Sequence, residues 1–262
     1  MLAKILDFYL QLQSFLLGEP IERIRRRAKG TKPVSHDVWD QLLKKHLVEG
    51  NVDYKGFLQD RDRLQRYLDL LTQNPPNTRH WSVPERLAYW INAYNAFTVE
   101  LVLQYYPLDS IKKLGPRLQL PFVNSAWDLR FFEIGGVKMT LNVIEHQILR
   151  RHFDEPRIHF AINCASFSCP RLREEAFIGD EIERQLAEQA HEFVNDPNKN
   201  RISSTQAELS QIFQWYEKDF VKKHSLREYI NQYAQQAYKA DSPQTYIPYD
   251  WSLNEAKEAK EE

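Results

Sequence analysis

The stretch "VPERLAYWINAYNAFTVELVLQYYP", Val83 to Pro107, decides the fold. Leu87, Trp90, Ile91, Tyr94, Thr98, Leu101, Val102 and Tyr105 fall at i, i+3, i+4, i+7 spacing, which lays one apolar stripe along an α-helix. Ser82 and Pro84 mark its start, and Pro107 stops it because proline has no amide to donate and disfavours helical backbone before it. So much apolar surface on one element predicts a central, buried helix. Asn95 lies at the edge of the stripe and Asn92 one step further round, where buried amides require hydrogen-bonding partners.

Toward the N-terminus, the prolines of "TQNPPNTRH" end a helical region that runs from Val38 to Leu71 and is broken at "EGNVDYKGF". The linker-like "AKGTKPVSHD" divides an N-terminal helical arm, residues 1–36, from a single core domain, residues 37–255; "NEAKEAKEE" ends the chain in a charged, frayed tail over 256–262. The arm opens with "MLAKILDFYLQLQSFLLGEP", read as a helix and not as a signal peptide or membrane span, since Asp7, Gln11 and Gln13 interrupt it and no small-residue cleavage site follows. Arg23, Arg25, Arg26, Arg27, Lys29 and Lys32 come next. An apolar helix with a basic flank permits contact with a membrane surface. The ordinary amphipathic helix with a solvated flank is the preferred reading, and a cytoplasmic location is expected.

Toward the C-terminus, "LRFFEIGGVKMTL" reads as a hairpin turned by Gly135 and Gly136. In "TLNVIEHQILRRHF", Asn142 and Glu145 have capping-box spacing; Leu141, Ile144, Ile148 and Leu149 form the apolar face, with Glu145 inside it and His146 beyond its edge. "RIHFAINC" is a short apolar run read as a strand, with Phe160, Ile162 and Cys164 on one face and His159, Ala161 and Asn163 on the other. Helical patterns return in "GDEIERQLAEQAHEFVND", "LSQIFQWYEKDFVKKH" and "LREYINQYAQQAY". Together these predict an α+β fold: a small, mostly antiparallel sheet packed on the long helix and surrounded by helices, which a papain-like arrangement would fit.

Composition narrows the function. Thirty-five basic against 36 acidic residues give a net charge of −1, so no nucleic-acid partner is expected. Two cysteines cannot make a disulfide framework, no Cys/His spacing resembles a structural zinc site, and eight scattered glycines form no phosphate-binding fingerprint. Neither a metal nor a cofactor is therefore expected.

Five strings, "ERLAYWINAYNAFTVELVLQYYPLDSIK", "FFEIGGVKMTLNVIEHQILR", "RIHFAINCASFSCPRL", "LSQIFQWYEKDF" and "IPYDWSLN", resemble in this order the bacterial and plant family known as domain of unknown function 547, over roughly Tyr54 to Asn254. The resemblance implies no settled activity. It implies that plant members add a helical zipper segment, that other eukaryotic members are joined to redox or signalling modules, and that bacterial members begin with an export signal, which the N-terminal arm here does not resemble.

Both cysteines lie in "HFAINCASFSCPRL". Cys164 sits where the expected strand yields to a Ser-rich turn, so amides from Ala165 to Ser168, with the side chains of Ser166 and Ser168 nearby, are placed to receive an anion. A strand would carry His159 about 16 Å from Cys164 at roughly 3.3 Å per residue, and onto the other face. His146 is therefore the favoured base, Glu145 its carboxylate partner, and Asn95 or Asn92 the orienting amide. His159 reads as a core histidine or a binding residue. Three functions stand: a cysteine-dependent hydrolase or acyl transferase acting on an amide or ester of a small molecule or peptide, a non-catalytic module binding a protein partner through its aromatics, and a thiol redox protein using Cys164 and Cys169.

Overall fold

The computed structural model describes residues 20–114 and 125–257. The helix expected over residues 1–19 and the last residues of the tail, 258–262, lie outside the described residues. Helix α1 (Pro20–Arg27) leads to α2 (Asp37–His46), the two-residue strands β1 (Leu47–Val48) and β2 (Asn51–Val52), α3 (Tyr54–Gln59), α4 (Arg61–Gln73) and the long α5 (Val83–Tyr105). The β3 (Phe132–Ile134) and β4 (Val137–Met139) hairpin precedes a π-helical segment, Val143–Leu149, that runs into α6 (Arg150–His152). Short α7 (Ile158–Ala161) and α8 (Ile182–Asn195) follow, then β5 (Arg201–Ser203), β6 (Gln206–Ser210), α9 (Gln211–Trp215), α10 (Glu217–Phe220), α11 (Leu226–Asn231) and β7 (Gln244–Ile247).

The architecture is α+β, as the patterning predicts, and α5 is its axis. Seventeen of the helix's residues, from Leu87 to Leu103, are buried. Its start is fixed by a reciprocal capping box, with Ser82 Oγ accepting from the Glu85 amide and Glu85 accepting from the Ser82 amide, two donors that would otherwise go unpaired. One apolar cluster surrounds α5; a second, formed by Phe160, Phe193, Phe213, Phe220 and Tyr229, lies under the C-terminal helices. Helix α1 is docked on the first cluster through Ile24, and the Arg27 guanidinium donates to the Gly135 and Gly136 carbonyls. Among the described residues no helix is long and apolar enough to cross a membrane.

The strands form three small ribbons, β1–β2, β3–β4 and β5–β6–β7, antiparallel except for the parallel β6–β7 pair. The β3–β4 hairpin forms as expected, with Gly135 at φ +58° and Gly136 at φ +69°, angles that cost a residue with a Cβ.

"RIHFAINC" is not a strand. Its first half is the helical turn α7, because Pro156 and Glu155 start one: the Glu155 carboxylate accepts from the Arg157 amide at 3.0 Å, and the carbonyls of Glu155, Pro156 and Arg157 accept from Ile158, His159 and Phe160. The turn closes because the Asn95 and Gln189 side chains take the Ala161 and Phe160 carbonyls. A short apolar run suits a buried helical turn as well as a strand, and long-range amides decide between them.

Two further expectations change. Asn142 makes no capping box; its amide donates to Asp128 at 2.6 Å, and Thr140 Oγ1 accepts from the Val143 amide instead. The segment then opens into a π-turn, in which the Arg150 amide reaches back five residues to the Glu145 carbonyl. "LSQIFQWYEKDF" is likewise not one helix: Leu209 and Ser210 finish β6, and the backbone breaks at Tyr216 between α9 and α10.

Asn95 Nδ2 donates to Ala161 O at 2.9 Å and its Oδ1 accepts from the Asn163 amide at 2.8 Å, both fully inside the core. Asn95→Ala leaves two buried backbone groups unpaired, and urea unfolding should show a loss of about 2–4 kcal/mol. A loss under about 0.5 kcal/mol, the ordinary range for surface substitutions, would show that the pair bears no load.

Candidate active site

A cavity of about 500 Å³ opens beside the end of α7. The π-segment brings Glu145 and His146 to its wall, α7 brings His159, and the loop beyond α7 brings Cys164 and Cys169. The corner between α9 and α10 adds Trp215 and Tyr216, and the C-terminal segment adds Tyr249 and Trp251. Because α7 is helical, the run from His159 to Cys164 is not fully extended, and both residues line one cavity.

The cysteine loop is held from three sides. Asn163 Nδ2 donates to Pro170 O at 2.7 Å, while its Oδ1 accepts from the Ala165 amide at 2.8 Å and from Asn254 Nδ2 at 3.2 Å. This fixes Ala165 at φ +61°, a left-handed conformation unusual for a residue with a Cβ and often found at functional sites. The chain from Asp250 to Asn254 then runs alongside the loop: the Phe167 and Ser168 amides donate to Ser252 O and Asp250 O, and the Asn254 amide to Ala165 O.

That pairing carries Tyr249 to the sulfur. Cys164 Sγ lies 3.1 Å from Ser166 Oγ and 3.3 Å from the Tyr249 hydroxyl, and Cys169 Sγ accepts from the Cys164 amide at 2.8 Å. Burial pushes the Cys164 thiol up, but hydrogen bonds from Cys169, Ser166 and Tyr249 outweigh it and hold its pKa below the ordinary value. Cys169 goes the other way, raised by burial and by its neighbour's sulfur. Among the described residues no imidazole hydrogen-bonds to Cys164; hydroxyls and the second thiol set its acidity.

The two histidines differ in tautomer, as their partners assign them. His146 Nδ1 lies 3.0 Å from the Arg150 guanidinium, which can only donate, so Nδ1 is the acceptor and Nε2 carries the proton. His159 Nε2 lies 2.8 Å from Asp219 Oδ2, which can only accept while ionised, so Nε2 carries the proton and Nδ1 is bare. Among the described residues, buried Nδ1 of His159 has no hydrogen-bond partner. Burial lowers the His159 pKa, with Asp219 offsetting part of the shift, and the ring stacks on Tyr216 at 3.9 Å between centroids.

Asp219 is raised by burial, yet its hydrogen bonds to His159 and Arg150 dominate and hold it well below the carboxylate range. Burial also raises Glu145, and the electrostatic pull of the neighbouring His146 and His159 rings, a Tyr216 hydrogen bond and Arg150 bring it below its ordinary value. Tyr94 donates a long hydrogen bond to the same carboxylate at 3.4 Å. Both carboxylates thus remain ionised around one guanidinium.

Of the residues expected at a site, Cys164, His146, Glu145 and His159 meet at the cavity. Asn95 and Asn92 do not: Asn95 pins the backbone at each end of the turn before Cys164, and Asn92 exchanges hydrogen bonds with both backbone groups of Phe177. Ser166 touches the sulfur, whereas Ser168 accepts from the Asp250 amide. Sequence reasoning missed Tyr216, Asp219, Arg150 and the sulfur-directed role of Tyr249. Charged and aromatic residues at a helix break carry no periodic signal, although "QWYEKDF" and "IPYDW" stand inside strings already noted.

Residues 78–194 match the model of a family described as a protein of unknown function, DUF547. No curated protein and no solved structure matches the chain. The matched segment contains Glu145, His146, His159 and both cysteines, while Trp215, Tyr216, Asp219, Tyr249 and Trp251 lie beyond it.

Tyr249→Phe removes one hydroxyl from the sulfur and leaves the ring packing in place. Since that hydroxyl favours the thiolate, the pH midpoint of Cys164 alkylation by iodoacetamide should rise, with reaction at neutral pH slowed. An unchanged midpoint, read by tandem mass spectrometry of the tryptic peptide 158–171, would remove Tyr249 from the account.

Proposed function

We propose that the chain is a cysteine-dependent acyl transferase or hydrolase acting on an amide or ester. The observation that carries this reading is one cavity holding a thiol of lowered pKa and a carboxylate-oriented histidine with a bare, buried ring nitrogen. A neutral imidazole in that state is a proton acceptor, and the Asp219 carboxylate stabilises the imidazolium it becomes.

In this reading His159 Nδ1 takes the Cys164 proton and the sulfur attacks the substrate carbonyl carbon. A C–S bond forms, the C–N or C–O bond breaks, and the leaving group receives the proton from His159. Water or a second nucleophile then attacks the thioester and releases the acyl group and the thiol. His146 suits a different task from the base first expected of it: with Nδ1 occupied by Arg150, its Nε2–H is a donor for the carbonyl oxygen as negative charge develops there. Trp127, Trp215 and Trp251 offer an apolar wall for the acyl or leaving group.

p-Nitrophenyl acetate should acetylate Cys164 in the folded chain, seen as a nitrophenolate burst and an acetyl adduct on peptide 158–171. Asp219→Asn should slow the burst on the order of 10⁴-fold, because the amide no longer selects the reactive tautomer. An adduct that forms only after unfolding, or at an equal rate in His159→Gln, would sink the proposal.

One observation favours a second reading, a thiol redox pair: Cys169 Sγ accepts from the Cys164 amide at 2.8 Å, and both thiols line the same cavity. Hydrogen peroxide would take the two thiols to one disulfide with release of two waters. Titrated thiols should fall from two per chain to none, and a count that stays at two removes this reading.

A further inference from the structure

A second cleft, of about 370 Å³, lies between α1 and the β3–β4 hairpin, on residues the proposed active site does not use. Its wall carries three exposed basic side chains, Arg23, Arg130 and Lys138, with Pro20, Thr140 and Gln147 between them. The single acid on the wall, Glu133, is paired across the ladder with Lys138.

The surface continues beyond the cleft. From Pro20 to Lys32 the sequence holds six basic residues against one acid, Glu22, and every one of the six is exposed. Two are committed locally: Arg25 to Glu22, and Arg27 to the hairpin carbonyls that lock the helix in place. Arg23, Arg26, Lys29 and Lys32 form no ion pair among the described residues. In a chain of net charge −1, so local an excess of unneutralised cations stands out from the rest of the surface.

Immediately before Pro20 the sequence is the apolar run that contains Leu2, Ile5, Phe8, Leu12, Phe15 and Leu16. Apolar chain joined to a fixed basic face is the pairing that one class of partner satisfies on both counts: acyl chains for the first, anionic headgroups for the second. A soluble polyanion would answer only the cations.

We propose that the face formed by α1, the residues to Lys32 and the Arg23–Arg130–Lys138 cleft docks on an anionic lipid bilayer, with a headgroup phosphate received in the cleft. The docking is peripheral. Arg27, through its two carbonyl contacts, keeps the basic face rigid relative to the core, so the same side of the domain meets the membrane each time.

Co-sedimentation of the full chain with vesicles of phosphatidylcholine alone, or of phosphatidylcholine with phosphatidylserine, tests this. Binding should require phosphatidylserine and weaken as salt rises from about 0.1 M, where charges are felt over about 10 Å, to about 0.5 M. A basic residue at such a surface contributes about 1 kcal/mol, so neutralising three as R23Q/R26Q/K29Q should lower the partition coefficient roughly a hundredfold. The charge-preserving R23K/R26K/K29R chain should bind as the wild type does. Equal partition onto both vesicles, no binding to either, or an unchanged R23Q/R26Q/K29Q chain with an unaltered melting midpoint would overturn the proposal. So would retention of single-stranded RNA by a chain that leaves anionic vesicles untouched, which would reassign the face to a soluble polyanion.

Discussion

The Asn95 side chain lies on the long helix and grips the chain on both sides of Ile162, accepting from the Asn163 amide and donating to the Ala161 carbonyl. One amide therefore ends α7 and starts the cysteine loop. Asn163, so fixed, holds Pro170, Ala165 and Asn254 in turn, and Asn254 aligns the C-terminal segment that brings Tyr249 to the sulfur. A single buried polar group, satisfied at each of its atoms, thus transmits the position of the long helix to the sulfur of Cys164. Low dielectric makes such a chain of bonds strong when complete and costly when broken.

Charge is arranged around Arg150 with the same economy. Two carboxylates, Asp219 and Glu145, are kept ionised in a partly buried space because one guanidinium and two imidazoles face them. The guanidinium donates to Asp219 and to His146, and Asp219 accepts from His159. Through these bonds Arg150 makes Nδ1 of His146 an acceptor, while Asp219 leaves Nδ1 of His159 without a proton. Two side chains of identical chemistry are set in opposite hydrogen-bonding environments by their partners.

The cavity is a joint construction. The segment matched to the family supplies the sulfur, both histidines, the π-turn and Trp127, and the chain beyond it supplies Asp219 and, in the aromatic wall, Trp215, Tyr216, Tyr249 and Trp251. Trp215, Tyr249 and Trp251 pack ring against ring at 4.5–5.8 Å, which gives that wall a rigidity that isolated side chains at a helix break would lack. These aromatic residues, which from sequence alone suited a partner-binding surface, line the cavity, with Trp215 exposed at its edge.

The sequence by itself determined what periodicity and local turn chemistry encode. The long helix is legible from Leu87 to Tyr105 because its apolar spacing persists over many turns, the hairpin because Gly135 and Gly136 tolerate positive φ, and Cys164 with Glu145 and His146 because reactive residue types stand in unusual apolar settings. Only the tertiary structure decided the rest. "RIHFAINC" is helical because Asn95 and Gln189, 66 and 29 residues away from the carbonyls they bind, claim the ends of the turn. Asn142 caps nothing because Asp128 takes its amide. His159 hydrogen-bonds to Asp219, 60 residues on, and Tyr249 reaches Cys164 across 85 residues of chain. Each of these outcomes hangs on a hydrogen bond between residues far apart in sequence, and no local pattern records which distant partner a buried polar group will find.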